Sequence, residues 1–270
     1  MKEELTVESF DRTKLFMAKS LPEDMAAIAV VVHGLAEHSG RYLYLEEKLN
    51  AANIGVYRFD HRGHGQSSGE ETHYDDFNEL TDDVNHIVEL AKEENPNLPI
   101  FLIGHSMGGF AVATFGTKYP GKVDGIVISG GLTRDHFGTI SSVPEDLEEH
   151  FRLPNELTDG VCSVEEVRID YVNDPLNKKS FTVGLARSLA SGVAWLKERG
   201  NVFSDPVLLL HGQLDSLVSY KDSLDFFSEA SSNDKQVKIY GNLFHEIFNE
   251  YAKDEVINDV LVWIKNRIQR

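Results

Sequence analysis

Gly104-His105-Ser106-Met107-Gly108 is a G-x-S-x-G pentapeptide, and its chemistry would be attack by a serine hydroxyl. That hydroxyl is a weak nucleophile at its free pKa. It needs a neighbouring imidazole to take its proton and a carboxylate to orient the imidazole. Where the serine sits on a strand–turn–helix, the chain order is Ser, then Asp or Glu, then His. Of the 11 histidines, only His136, His150, His211 and His245 follow Ser106. His136 and His150 fall in a segment of different rhythm, and His211 ends a strand ahead of the best acid. His245, in Asn242-Leu243-Phe244-His245-Glu246, sits in a loop between the last strand and the last helix and is the expected base. The bland alternative for it is a histidine that merely opens a helix. Asp215, in His211-Gly212-Gln213-Leu214-Asp215, lies just past an apolar strand and is the expected acid. Asp205 and Asp222 read as cap or surface charges.

An oxyanion formed at the substrate carbonyl needs two donors. The Met107 N–H, one residue past the serine at a helix N-terminus, supplies one. The second is expected from a loop after an early strand, and His33-Gly34-Leu35 offers the Leu35 N–H. A second copy of the pattern, Gly65-Gln66-Ser67-Ser68-Gly69, lacks this setting. Asp60-His61-Arg62-Gly63-His64 separates it from its strand, and Glu70-Glu71-Thr72-His73-Tyr74 follows, so Ser67 reads as a loop serine.

The elements around Ser106 must hold it in a sharp turn. Pro99-Ile100-Phe101-Leu102-Ile103 suits a fully buried strand, and Gly109-Phe110-Ala111-Val112-Ala113 begins a small-residue helix. Earlier, residues 1–20 alternate as an antiparallel hairpin does. Ala26 to Val32 and Ile54 to Phe59 read as strands, Tyr42 to Ala52 and Phe77 to Glu94 as amphipathic helices. Val123 to Ser129 and Val207 to Leu210 are further strands. Ser219 to Ala230 is a helix, Gln236 to Tyr240 the last strand, and Glu246 to Arg270 the closing helix. Continuously apolar strands alternating with helices predict an α/β fold, a mostly parallel sheet with helices on both faces. On such a sheet chemistry gathers at the carboxyl ends of strands.

Composition narrows the partners. In 270 residues there are 26 Lys+Arg against 44 Asp+Glu, a net charge of −18, so nucleic acid and anionic headgroups are repelled on average. Cys162 is the single cysteine, which excludes internal disulfides and fits a reducing compartment. The acidic start, Met1-Lys2-Glu3-Glu4, lacks the apolar core of a signal peptide, and no run is long enough to span a bilayer. A cytoplasmic location is expected. His61 and His64 are three apart, yet no H-E-x-x-H, Cys–His spacing or carboxylate cage accompanies them, so no metal and no cofactor is expected. Gly63-His64-Gly65 lacks the third glycine of a dinucleotide loop.

With Ser106, Asp215 and His245 in this order, the chain resembles the α/β-hydrolase superfamily, and within it the monoacylglycerol lipase or lysophospholipase-like (serine aminopeptidase S33) family. The stretches that carry the resemblance span nearly the whole chain. They are His33-Gly34-Leu35-Ala36-Glu37-His38-Ser39-Gly40-Arg41-Tyr42, Phe59-Asp60-His61-Arg62-Gly63-His64-Gly65-Gln66-Ser67, Gly104 to Gly109, His211 to Asp215 and His245 to Glu250. The resemblance implies an ester hydrolase with no cofactor, a lipid-like substrate and a mainly helical cap inserted over the serine. It places the oxyanion donors at Leu35 and Met107, and Glu37 and Arg41 in a block that shapes the loop beside the site. The interruption at 131–203 would be the cap, with 1–130 and 204–270 forming the core. Within it, helical spacing of Leu147 and Phe151 would lay an apolar face over an acyl chain, with ordinary packing the alternative. This acidic stretch matches family caps poorly, which leaves open a monoacylglycerol, a lysophospholipid or a short-chain or aryl ester. Peptide or amide hydrolysis on the same three residues is the enzymatic rival, and a ligand-binding protein that kept the fold the remote one.

Overall fold

The computed structural model describes residues 2–268. Its centre is an eight-stranded sheet of β1 (Lys2–Glu8), β2 (Lys14–Ser20), β3 (Ala27–Val32), β4 (Ile54–Phe59), β5 (Ile100–His105), β6 (Gly125–Ser129), β9 (Val207–Gly212) and β10 (Lys235–Tyr240), where β7 (Arg152–Pro154) and β8 (Ser180–Thr182) form a separate two-stranded sheet. The order across the large sheet is β1-β2-β4-β3-β5-β6-β9-β10. Strands β1 and β2 pair antiparallel, β2 meets β4 antiparallel, and every other neighbour is parallel. The chain runs from β3 to β4 on one side and then returns to place β5 on the other side of β3. The loops leaving β3 and β5 therefore part at their carboxyl ends, and a crevice opens between them.

Both faces of the middle of this sheet are covered, which is why β3, β4, β5, β6 and β9 are buried along their whole length, while the edge strands β1 and β10 are not. Ile28, Val30 and Val32 of β3 enter one core with α2 (Phe77–Glu94) and α3 (Met107–Lys118), while Ala27, Ala29 and Val31 enter a second with α1 (Leu43–Ala51) and α8 (Lys253–Ile268). Each fully buried Val, Ile or Leu here contributes roughly 1.5–3 kcal/mol.

Between β6 and β9 the chain leaves the sheet. It passes through turns, β7, α4 (Thr158–Val161), α5 (Glu165–Asn173) and β8 before α6 (Val183–Glu198). No helix forms over 141–151, where Leu147 and Phe151 were expected on one helical face. Helix α6 packs instead on α2 and α3, and its Leu185, Leu189, Val193 and Leu196 belong to the main core. Helix α7 (Tyr220–Glu229) follows β9.

The closing helix starts at Lys253 rather than near Glu246, and its expected last positions, 269 and 270, lie outside the described residues, as does Met1. Residues 244–250 are held out of the helix by side-chain bonds. The Glu250 carboxylate accepts from the Phe244 N–H (3.1 Å), the Ser163 N–H (2.8 Å) and the Ser163 hydroxyl (2.5 Å). The Glu246 N–H donates to the Val161 carbonyl (2.7 Å).

Candidate active site

Ser106 stands alone between β5 and α3 with φ 56° and ψ −117°. A non-glycine residue held there costs about 1–3 kcal/mol, and its neighbours explain how the turn persists. A Cβ on Gly104 would lie 2.3 Å from the Gly108 carbonyl oxygen, and one on Gly108 2.1 Å from that of Val32. Both contacts are with backbone, so neither could yield, and the helix start sits hard against the ends of β3 and β5. The Ser106 N–H donates to the Ser129 carbonyl (2.9 Å), tying the turn to β6.

Asp215 and His245 meet beside it. Asp215 Oδ2 accepts from His245 Nδ1 at 2.6 Å and from His211 Nε2 at 3.0 Å, while Oδ1 accepts from the Leu217 and Val218 N–H groups, both at 2.9 Å. Burial alone would push the Asp215 carboxyl up. The charge and hydrogen bonds of His245 and His211 outweigh it and hold the group well below the usual carboxylate range. Burial likewise pulls the His245 imidazole down, but the Asp215 carboxylate overrides it, and the net shift is upward from 6.5. His105, whose ring centroid is 4.5 Å from that of His245, is pushed down to about 3, mainly by burial and then by His245. A neutral His105 thus sits against an imidazole prepared to take a proton.

The loop after β3 closes the crevice from the other side. A Cβ on Gly34 would lie 3.1 Å from Ser106 Cβ, so the Gly34-Leu35 backbone runs directly past the serine. Glu37 Oε1 accepts from the Gly34 N–H and from the Tyr42 hydroxyl, both at 2.6 Å, and Oε2 accepts from Arg41 (2.8 Å). Arg41 continues as a fork onto Glu246 (2.5 and 2.8 Å), the residue after His245. Burial raises the Glu37 carboxyl, but Arg41 and the nearby imidazoles reverse this and bring it down to about 2. This buried chain of charges connects the Leu35 loop to the His245 loop. The Leu35 N–H has no hydrogen-bond partner among the described residues, and Met107 opens α3, where N–H groups have no intrahelical acceptor.

Gly34, Leu35, Ser106 and His245 line one cavity of about 20 Å³, room for about one water molecule. Leu157, Val161, Tyr171 and Leu217 cover it. None of these four was expected from the sequence. They come from short helices and a loop with no strong apolar pattern. Leu147 and Phe151 are not brought to this cavity, and Phe151 is half exposed. His211 was set aside as a base; it braces Asp215 with one nitrogen and meets Ser223 Oγ (2.8 Å) with the other.

The remaining polar residues of the sequence reading lie elsewhere. Ser67 Oγ accepts from the Phe16 N–H (2.9 Å) and donates to the Asp60 carbonyl (2.5 Å), holding its loop. Asp60 accepts from the Ser39 and Gln66 N–H groups. Asp222, expected as a cap or surface charge, is buried. Its carboxylate gathers the N–H groups of Thr133, Arg134 and Asp135 and the His136 imidazole, because the chain leaving β6 passes directly over α7. Asp205, expected in the same way, is also buried, and accepts from the Gly121 N–H (2.7 Å).

A strained serine between a central parallel strand and the next helix, lining one cavity with a histidine that pairs to an aspartate, both in the loops after the last two parallel strands, is the arrangement of the α/β-hydrolase class. A family model described as serine aminopeptidase S33 matches residues 23–252, and the chain belongs to that family. It is 33% identical over 252 residues to a monoacylglycerol lipase of Mycolicibacterium smegmatis, covering 91% of this chain and 90% of that one. It is 31% identical to a monoglyceride lipase of Homo sapiens, covering 89% and 83%. The crystal structure of a Paleococcus ferrophilus monoacylglycerol lipase superposes with a TM-score of 0.83 at 29% identity, covering 94% and 99%.

Proposed function

We propose that the protein hydrolyses carboxylic esters through an acyl-enzyme, with a monoacylglycerol as its substrate. The observation that carries the reading is that His245, paired to Asp215, lines the same cavity as the strained Ser106, with the Gly34-Leu35 backbone packed against that serine. Ser106 Oγ attacks the carbonyl carbon while His245 takes its proton, and the Leu35 and Met107 N–H groups hold the oxyanion. His245 returns the proton to the departing alcohol. Water then repeats the steps on the acyl-serine and releases the fatty acid. Asp215 keeps the imidazole oriented and stabilises its charged form.

The segment 131–203 acts as a cap, and Leu157, Val161 and Tyr171 are the cap side chains that face the serine. One observation favours a second reading. The small cavity has room for about one water molecule, so a short acyl group requires the cap residues to move less than a long chain does. A lysophospholipid is a further substrate of the same chemistry. The single, buried Cys162 supports a cytoplasmic site of action.

Hydrolysis of p-nitrophenyl esters from acetate to palmitate, 1-monoacylglycerols, a lysophosphatidylcholine and an aminoacyl anilide, with Ser106→Ala as blank, tests these readings. Turnover peaking on medium or long monoacylglycerols and vanishing in the blank is expected. Preference for short esters would replace the lipase reading with that of a general esterase. Cleavage of the anilide alone would replace it with a peptidase.

A further inference from the structure

Away from the serine, a second group of side chains meets across the seam between the sheet and the segment above it. Glu70 and His73 lie in the loop after β4, and His150 lies just before β7. One donor atom from each falls within 4.8 Å of the other two. His150 Nδ1 is 2.8 Å from Glu70 Oε1, and the rings of His73 and His150 stack with centroids 4.7 Å apart.

Polar partners hold both ring nitrogens of His73. Thr182 Oγ1, which caps α6 by accepting from the Leu185 N–H (3.1 Å), lies 2.9 Å from His73 Nδ1. His73 Nε2 lies 3.2 Å from Asp75 Oδ1. His73 is 8% exposed and its ring is wedged, since a Cβ on Gly184 would lie 2.5 Å from its Cε1, so it cannot turn aside.

We propose that His73 Nε2, His150, Glu70 and Asp75 form a site for a divalent cation of the zinc class, which staples the core loop after β4 to the chain entering β7. Two imidazoles and two carboxylates are a ligand set that zinc accepts. Donors about 2.0–2.2 Å from a tetrahedral ion lie about 3.4 Å from one another, against 4.8 Å or less among Glu70, His73 and His150, so these three need a modest contraction and a turn of the exposed His150 ring out of its stack on His73. The imidazole facing Thr182 through its other nitrogen already has the outer hydrogen bond that metal-bound histidines use. The sequence could not show this set, because His150 is remote in the chain and the spacing 70, 73, 75 matches no metal motif.

The test is titration of the chelator-stripped, full-length protein with ZnCl2 near neutral pH, by calorimetry and by thermal melting. Wild type is expected to bind one zinc per chain and to melt at a higher temperature with it. His150→Ala and Glu70→Gln, both exposed positions, are each expected to lose at least about tenfold in zinc affinity, the low end of the effect of an outer-shell partner alone. Their zinc-free circular dichroism should match that of wild type. No zinc binding by wild type, or unchanged affinity in both variants, would overturn the proposal. The contact of His73 with Asp75 would then be a hydrogen bond that only holds the loop.

Discussion

Asp215 and His245, thirty positions apart, lie 2.6 Å from each other, Oδ2 to Nδ1, with both side chains buried. His211 donates to the same oxygen from the opposite side. The carboxylate is therefore held in place before any substrate arrives, and it can orient only one tautomer of His245. Asp215→Asn is expected to lower kcat by about 10⁴-fold with the fold intact, because the amide favours the wrong tautomer. Burst and steady-state kinetics on a p-nitrophenyl ester would check this, and full activity would point to another acid.

With His245 as the proposed base, its upward shift sets the acid limb of the reaction. The base works when neutral, so kcat/KM should fall as the pH drops through a value above 6.5, and Asp215→Asn should move that limb downward. The same shift has a stability counterpart. The His245–Asp215 attraction is fully present below the unfolded imidazole pKa and is lost as the pH rises through the raised folded value. Urea midpoints of Ser106→Ala and His245→Gln, compared across this range, should converge at high pH.

Ser106→Ala should abolish ester turnover. Ser67→Ala removes two hydrogen bonds that hold a loop, so it should cost roughly 1–3 kcal/mol of stability and leave kcat nearly unchanged. The opposite pattern of activities would transfer the nucleophile to the other G-x-S-x-G.

Gly34→Ala would press a methyl against Ser106 Cβ and Glu37 Oε1, at 3.1 and 2.8 Å. The backbone must retreat, and the Leu35 N–H with it. A loss of about 10²–10³ in kcat is expected, the scale of one oxyanion donor, with KM for a short ester changed far less. Equal losses in substrate affinity and turnover would mean that the loop binds substrate rather than the transition state.

Arg41→Ala leaves the carboxylates of Glu37 and Glu246 buried without their shared guanidinium. Breaking such a buried group from one side costs about 3–5 kcal/mol, visible in urea unfolding. Arg41→Lys should recover only part of this, since an ammonium cannot reproduce the fork onto Glu246.

What the sequence by itself determined is the part of the structure that depends on local pattern. Apolar strands ending at His33, Asp60, Ser106 and His211 define a parallel sheet with polar loops at its carboxyl edge. The glycines around Ser106 require a turn that only backbone contact explains, and order along the chain singled out Asp215 and His245. Tertiary structure alone decided what fills the space above that edge. Leu157, Val161, Tyr171 and Leu217 cover the serine, rather than Leu147 and Phe151, because weakly patterned segments take their places from long-range packing and not from their own periodicity. It also decided that α6 joins the core, that Glu246 answers Arg41, and that His73 meets His150. Charges and imidazoles carry no periodic signal. Their partners are chosen only when distant loops are brought together, and burial then makes each pairing obligatory.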